Sequence, residues 1–297
     1  MVETTSSRDL NPVFEPLSIS APIAHQLAHE HCQKGPLGGI CLTYHSIWQY
    51  LRLIGQISTI AADDDFFPAQ LARLFAEGGH QRVLISAAAD YGMLARVTAG
   101  ARAAGVTPEI TLVDICPTPL RLNRWYAEQL GISVQTRLCN ILEFEAESPF
   151  DIICTHSFIG RMLDHREALL ERWRTLLRPG GKALTSARIR YDVTEAVQRF
   201  TAAEAEAFAD QAARLAKSAP ELGHLSVNDI REGALKFARE KLNYPLYSRE
   251  YLIEICERAG FEVKMNTRGV QPPTEGRPTS PRTGSGTERL RLILTRG

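Results

Sequence analysis

Between Gln81 and Gly181 short apolar runs alternate with helix-forming stretches, and this alternation constrains the fold more than any other feature of the chain. Arg82-Val-Leu-Ile-Ser86 has the length and composition of a buried strand, and a helix is expected from about Gly92 to Ala104, stopped by Gly105. Glu109-Ile-Thr-Leu-Val-Asp114 supplies the second strand. The helix after it is punctuated by Thr118 as N-cap, Pro119 at the first helical position and Gly131 past its end. Further strands are expected at Val134–Leu138, Phe150–Thr155 and Lys182–Ala187, with a helix from about Arg166 to Leu177. Alternating strands and helices in this order require right-handed crossovers, hence an α/β protein with a mostly parallel sheet covered on both faces.

Outside this core the pattern changes. Residues 1–20 are rich in Ser and Thr, carry Pro12 and Pro16, and are expected to be a mobile leader. Helices follow over Pro22–His31, around Tyr44–Ile54 after the glycine-rich Gly35–Gly39 break, and from about Pro68, with Asp63 to Asp65 near the positive end of the third. A long helical stretch, 191–243, holds two capping-box starts, Thr201-Ala-Ala-Glu204 and Ser226-Val-Asn-Asp229. Ser248 caps a helix ending at Gly260, a strand runs over Phe261–Asn266, and Val270–Glu288 is expected to be mobile before a last strand, Arg289–Thr295. The expected organisation is one domain. It comprises a leader and helical cap (1–80), a ligand-binding core (81–190), a helical insertion or lid (191–243) and a C-terminal helix with a strand pair (244–297).

Thirty-four Lys and Arg balance thirty-four Asp and Glu, so no net field favours nucleic acid or an anionic membrane. No apolar run approaches the roughly 18 residues that span a bilayer. The six cysteines are scattered without a C-x-x-C pair, which suggests small buried hydrophobes with reduced thiols in a cytoplasmic protein.

The first strand ends in Ile85-Ser-Ala-Ala-Ala-Asp-Tyr-Gly92, a small-residue turn into a helix, where backbone can approach a ligand. The second strand ends in Asp114, whose carboxylate can accept both hydroxyls of a ribose. Taken together with Leu138-Cys-Asn-Ile-Leu142, Phe150-Asp-Ile-Ile-Cys-Thr-His-Ser157 and Leu176-Leu-Arg-Pro-Gly-Gly-Lys182, these segments resemble the ordered motifs of the class I S-adenosylmethionine (SAM) dependent methyltransferases. The resemblance implies a Rossmann-like fold of seven strands, mostly parallel with a terminal antiparallel strand, plus the helical N-terminal cap and helical insertion. It also implies SAM as cofactor and S-adenosylhomocysteine as product.

Carried onto this sequence, the family's cofactor contacts fall on Ala87, Ala89, Asp90, Gly92, Asp114, Ile115, Asn140, Ile141 and His156, and Tyr44 is expected to face the cofactor from the N-terminal cap. Two departures stand out. Ile85 replaces an acidic residue, so Asp90 or a residue from the N-terminal helices is expected at the methionine end of SAM, and Ala87 and Ala89 replace glycines, which requires φ below zero at both. Asn140 replaces the usual Asp and can still accept from the adenine amino group through its amide oxygen. His156 is the first candidate base and His45 the second; Trp48, Ser157 and Arg161 are candidate substrate contacts. No metal ligands are expected: His25, His29, Glu30 and His31 read as a solvated helix face. The expected activity is methyl transfer to a small molecule in an enclosed pocket. The expected partners are that molecule and at most a second copy as a homodimer, with no nucleic acid and no membrane. The alternatives are an enzyme using SAM for other chemistry, such as an intramolecular cyclisation releasing methylthioadenosine, and a catalytically silent binding subunit.

Overall fold

The computed structural model describes residues 13–32, 38–57, 59–79, 81–191, 197–219, 221–244, 246–271 and 287–297. Its centre is a seven-stranded sheet in the order β3-β2-β1-β4-β5-β7-β6. The strands are β1 (Arg82–Ser86), β2 (Glu109–Asp114), β3 (Val134–Leu138), β4 (Phe150–Cys154), β5 (Leu177–Ile189), β6 (Phe261–Gln271) and β7 (Thr287–Arg296). Neighbouring strands run parallel from β3 through to β5, and β7 is antiparallel to both β5 and β6. The expected sheet and its reversed terminal strand are therefore present. Sequential β1–β2–β3 pairing followed by a jump to β4 puts a switch in winding direction beside β1, where an α/β sheet opens a crevice at its strand carboxyl ends.

The helices are α1 (Leu17–His31), α2 (Gly38–Leu53), α3 (Phe67–Ala76), α4 (Gly92–Ala104), α5 (Pro117–Leu130), α6 (Arg166–Leu176), α7 (Ala202–Ala216), α8 (Val227–Glu240) and α9 (Arg249–Arg258). Both capping boxes form as read from the sequence, Thr201 with Glu204 and Ser226 with Asp229. Helix α5 starts earlier than expected. Pro117 already has a helix-compatible φ and needs no amide partner, so Cys116, in extended conformation, takes the cap position instead of Thr118. Strand β5 is longer than expected because the Leu177-Arg-Pro-Gly-Gly181 segment stays in the sheet through a register shift against β4.

Residues 13–20 are not a mobile leader. Phe14 accepts a hydrogen bond from the Tyr126 hydroxyl, Glu15 pairs with Arg52 and Arg96, and α1 begins at Leu17 with Pro22 inside it. The expected mobility of Val270–Glu288 falls largely on residues 272–286, outside the described residues.

Two apolar clusters sandwich the sheet, one under α3, α4 and α5 and the other under α6 and α9. A third is built without the sheet: Ile47, Tyr50 and Leu51 of α2 pack against Phe208 and Ala212 of α7 and Ile230, Ala234 and Phe237 of α8. The alanines let the helices approach closely, and Gly233 of α8 sits so near Ile47 that a Cβ there would lie 2.8 Å from its Cδ1. The N-terminal helices and the insertion thus share one small core.

Candidate active site

A cavity of about 230 Å³ opens at the carboxyl ends of β1, β4 and β5. The turn after β1 forms its floor through Ala87, Ala88, Ala89 and Asp90; α2 supplies Tyr44 and Trp48; and the end of β5 supplies Arg188 and Arg190. His156, Ser157 and Arg161 line it from beyond β4, and the segment after α8 closes it with Lys241 and Tyr244. The helical cap and the insertion therefore both border the strand ends.

The turn carries a strained backbone. Ala87 has φ +63°, so the requirement for a negative φ fails there, whereas Ala89 is not among the positive-φ residues. Ala87 takes the left-handed conformation that glycine adopts without cost. Its N–H donates to the Val113 carbonyl, and the Ala88 N–H to Asp114 Oδ2 at 2.9 Å, which ties the turn to the end of β2. Ser157, directly after His156, also has a positive φ, +53°. Strain of this kind persists only where surrounding contacts over-determine it.

Asp90 is committed to the protein rather than open to a ligand. Its carboxylate accepts from Arg52 Nη1 at 2.6 Å, Trp48 Nε1 at 3.0 Å and the Gly92 N–H at 2.6 Å. Burial works against its charge, but the Arg52 guanidinium and the Gly92 amide outweigh this and hold the carboxyl below the ordinary range. A methionine-end contact from Asp90 is therefore left to its backbone. The α2 side chain of Trp48 is in turn fixed from below, stacked on Tyr44 with ring centres 4.6 Å apart.

His156 Nε2 lies 3.0 Å from Asp63 Oδ2. A carboxylate can only accept, so the ring donates in the Asp63 contact; Arg289 Nη1, 3.1 Å from the same Nε2, can only donate, so it serves the tautomer in which Nε2 accepts. Arg289 of β7 donates to the same oxygen at 2.9 Å, and Arg291 donates to Asp63 Oδ1. Burial would raise the Asp63 carboxyl, yet the His156 hydrogen bond and the two guanidiniums hold it well below the usual range. Asp63 is fully buried, so its role is this ion cluster and not that of a helix-end charge. Burial, with Arg289 beside it, pushes the His156 imidazole down to about 4.

Cations dominate the cavity's free groups. Burial and the neighbouring Arg289 lower Arg188 to about 10. Burial, together with Arg188 and Arg161, pushes Lys241 down to about 7. Lys241 Nζ lies over the Phe237 ring at 5.2 Å, and the Arg161 guanidinium over Tyr244 at 5.7 Å. The carboxylate that lines the cavity, Asp90, is already consumed by Arg52.

Of the residues expected to serve the site, Tyr44, Trp48, Ala87, Ala89, Asp90, His156, Ser157 and Arg161 border this cavity. Asp114, Ile115, Asn140 and Ile141 sit along the ends of β2 and β3, outside its lining. Gly92 is buried at the start of α4, where a Cβ would meet Asp90 Oδ1 at 2.8 Å. Asn140 spends its Oδ1 on the Leu142 N–H at 3.1 Å, closing a local turn. His45 lies elsewhere: its Nδ1 faces Cys32 and Cys41, away from the cavity lining. His25 bonds the Ser46 carbonyl and packs its ring against that of His29, tilted at 52°, a packed arrangement more than a solvated face. Sequence reasoning missed Arg188, Arg190 and Lys241. The alternation Arg188-Ile-Arg190 at the end of a buried strand was a usable signal; Lys241 had none, since its place depends on how the insertion folds.

The residues present fit SAM. Each Asp114 oxygen accepts one backbone amide, from Ala88 or Cys116, and keeps a lone pair for a ribose hydroxyl. The small side chains of 87–89 leave the turn open to close approach.

Comparison with known proteins adds to this geometry. A family profile described as "Methyltransferase domain" matches residues 90–185. A curated relative, the ubiquinone/menaquinone biosynthesis C-methyltransferase UbiE of Ralstonia pickettii (strain 12J), is 31% identical over 84 residues, 28% of this chain and 35% of the relative. The chain thus spans about a third of that relative's length. Similar solved structures include phosphoethanolamine N-methyltransferase 2 of Haemonchus contortus, in complex with SAM. It is 15% identical over 77% of this chain and 52% of that one, with a TM-score of 0.46. Another is the N-methyltransferase NodS of Bradyrhizobium japonicum WM9, 14% identical over 79% and 98%, with a TM-score of 0.44. The methyltransferase-domain match spans residues 90–185, from the turn after β1 into β5, and lies on a seven-stranded sheet of the order described, so this part of the chain resembles a methyltransferase domain on a Rossmann-like fold.

Proposed function

We infer that the protein transfers a methyl group from SAM to a small anionic acceptor, a carboxylate or phosphate ester, held in the cavity at the ends of β4 and β5. The observation that carries this reading is the cationic lining: Arg161 and Arg188 border the cavity beside Lys241, and among the described residues the one carboxylate of the lining, Asp90, is already paired with Arg52. An anion supplies the missing charge, and guanidinium groups hold it in a fixed orientation. The volume of about 230 Å³ lies below the roughly 300–1,000 Å³ of typical ligand pockets. It suits the methionine arm of the cofactor with a small acceptor, and the adenosine end belongs with Asp114, Ile115, Asn140 and Ile141 outside it.

SAM supplies an already activated methyl group. What the chain contributes is alignment, exclusion of water and a place for the acceptor's proton. The stacked Tyr44 and Trp48 offer an aromatic wall suited to a cation. Lys241, neutral above pH about 7, is matched to accept a proton at working pH; His156, lowered to about 4, is a much weaker base. Tyr44 is unsuited to the task, since burial raises its hydroxyl. The cap and insertion act as the lid on this site, a role supported by their shared core over the strand ends. No described helix is long and apolar enough to cross a membrane. The described cysteines form no disulfide, in keeping with action in the cytoplasm.

The deciding experiment incubates the purified chain and SAM with pools of small carboxylates and phosphate esters, and separates products by mass spectrometry. Acceptor-dependent release of S-adenosylhomocysteine with a methylated anion is expected. Release of methylthioadenosine instead would replace methyl transfer with an intramolecular cyclisation. No SAM binding by calorimetry would leave a silent subunit.

A further inference from the structure

Three cysteines that lie far apart in the chain meet one histidine behind the cavity. Cys32 ends α1, Cys41 and His45 lie one turn apart on α2, and Cys116 caps α5 just beyond β2. The Sγ atoms of Cys41 and Cys116 are 3.3 Å apart, and those of Cys32 and Cys116 3.6 Å. His45 Nδ1 lies 3.2, 3.4 and 3.6 Å from Cys32, Cys41 and Cys116. All four ligand atoms fall within 4.8 Å of one another, and the three cysteines are at most 4% exposed.

A tetrahedral zinc ion with Zn–S near 2.3 Å and Zn–N near 2.0–2.1 Å puts its ligand atoms roughly 3.8 Å apart for S–S edges and roughly 3.5 Å for S–N edges. The observed edges given above are within about 0.5 Å of this, the Cys41–Cys116 edge being the shortest relative to it. A disulfide, at about 2.05 Å, is far shorter than any of these contacts. Buried cysteine acting as a plain hydrophobe explains single thiols such as Cys154 and Cys256, but not three sulfurs converging on a ring nitrogen. The surroundings also suit thiolates. Cys116 stands at the N-terminus of α5, where the helix dipole favours negative charge, and the Thr118 hydroxyl lies 3.0 Å from Cys32 Sγ.

We propose that Cys32, Cys41, His45 and Cys116 bind one zinc ion as a closed Cys₃His structural site. Four protein ligands fill the coordination sphere, so the ion has no open position for substrate and its work is mechanical. It fastens α1 and α2 to the end of β2, two residues past Asp114, and so couples the cap to the ribose end of the cofactor site. The site is independent of the acceptor and of whether methyl transfer occurs.

The test is elemental analysis of the intact, desalted chain purified without chelator, with intact mass to count disulfides. About one zinc per chain is expected, with all six thiols reduced. Cobalt(II) exchanged into the wild-type protein should show the intense ligand-field bands of tetrahedral thiolate coordination. Cys41→Ser and Cys116→Ser should each lower bound zinc at least tenfold, whereas Cys154→Ser and Cys256→Ser, outside the cluster, should retain it. Less than about a tenth of an equivalent of any metal in the wild type would overturn the proposal, as would a disulfide among Cys32, Cys41 and Cys116. Full zinc in the Cys41→Ser and Cys116→Ser proteins would do the same, and a full equivalent of iron or copper would overturn the choice of zinc.

Discussion

Helix α2 faces two unlike environments. One side, through Tyr44, Trp48 and Arg52, meets the alanine turn and the cationic cavity; the other, through Cys41 and His45, meets the thiol cluster at the end of β2. Both sides use the i, i+4 spacing of one helix, so the difference is not in backbone geometry but in what the core presents to it. Toward the cavity the groups are long and aromatic or paired, with Arg161, Arg188 and Lys241 across from them, as befits a place where a ligand comes and goes. Toward β2 they are short, soft and saturated by one another, as befits a permanent joint.

This contrast makes separable predictions. The largest effect is expected on the cavity side. Lys241→Met should lower kcat by roughly a thousandfold, the range of a lost general base, and leave zinc content unchanged. In the parent enzyme, kcat/KM should rise about tenfold per pH unit up to pH about 7 and then level, because the neutral amine is the active form. A profile flat from pH 5 upward would move the base to His156, lowered to about 4. Next, Asp90→Ala leaves the Arg52 guanidinium, 4% exposed, with Glu15 alone, and should cost about 3 kcal/mol in chemical denaturation. Arg188→Met should raise the acceptor's KM about a hundredfold, close to 2.7 kcal/mol, without shifting the melting temperature downward. A rise in KM accompanied by a fall in zinc content in that variant would merge the two sides of α2 into one unit. The smallest expected effect is Ala87→Gly, which relieves the left-handed alanine against glycine's greater chain entropy and should stabilise by about 0.5 kcal/mol in a thermal melt.

The core was legible in the sequence because its signals are local. Strands of apolar residues, glycine stops at Gly105 and Gly131, and the Ser226 and Thr201 capping boxes each act within a few residues. What stayed hidden depends on distance along the chain. The three cysteines looked unrelated because their meeting requires α1, α2 and the β2–α5 junction to be docked already. Asp63 looked like a helix-end charge because its partners, Arg289 and Arg291, lie more than two hundred residues away. Asp90 was expected to face the methionine end of SAM, but Arg52 and Trp48 from another helix claim it first. In each case tertiary pairing of a buried charge or thiol decided the role, and pattern reading has no access to that.

The β7 ion cluster also sets an order of events during synthesis. His156 is held by Asp63, Asp63 by two arginines of the final strand, and β7 pairs with β5 over Lys182–Ile189. Those arginines follow the parallel strands in the chain, so a nascent chain can pack its first parallel strands while His156 is still unsupported. Chains cut short before Thr287 therefore leave Asp63 and His156 without their arginine partners however well the parallel strands assemble, so folding of the sheet and completion of the site are separate steps.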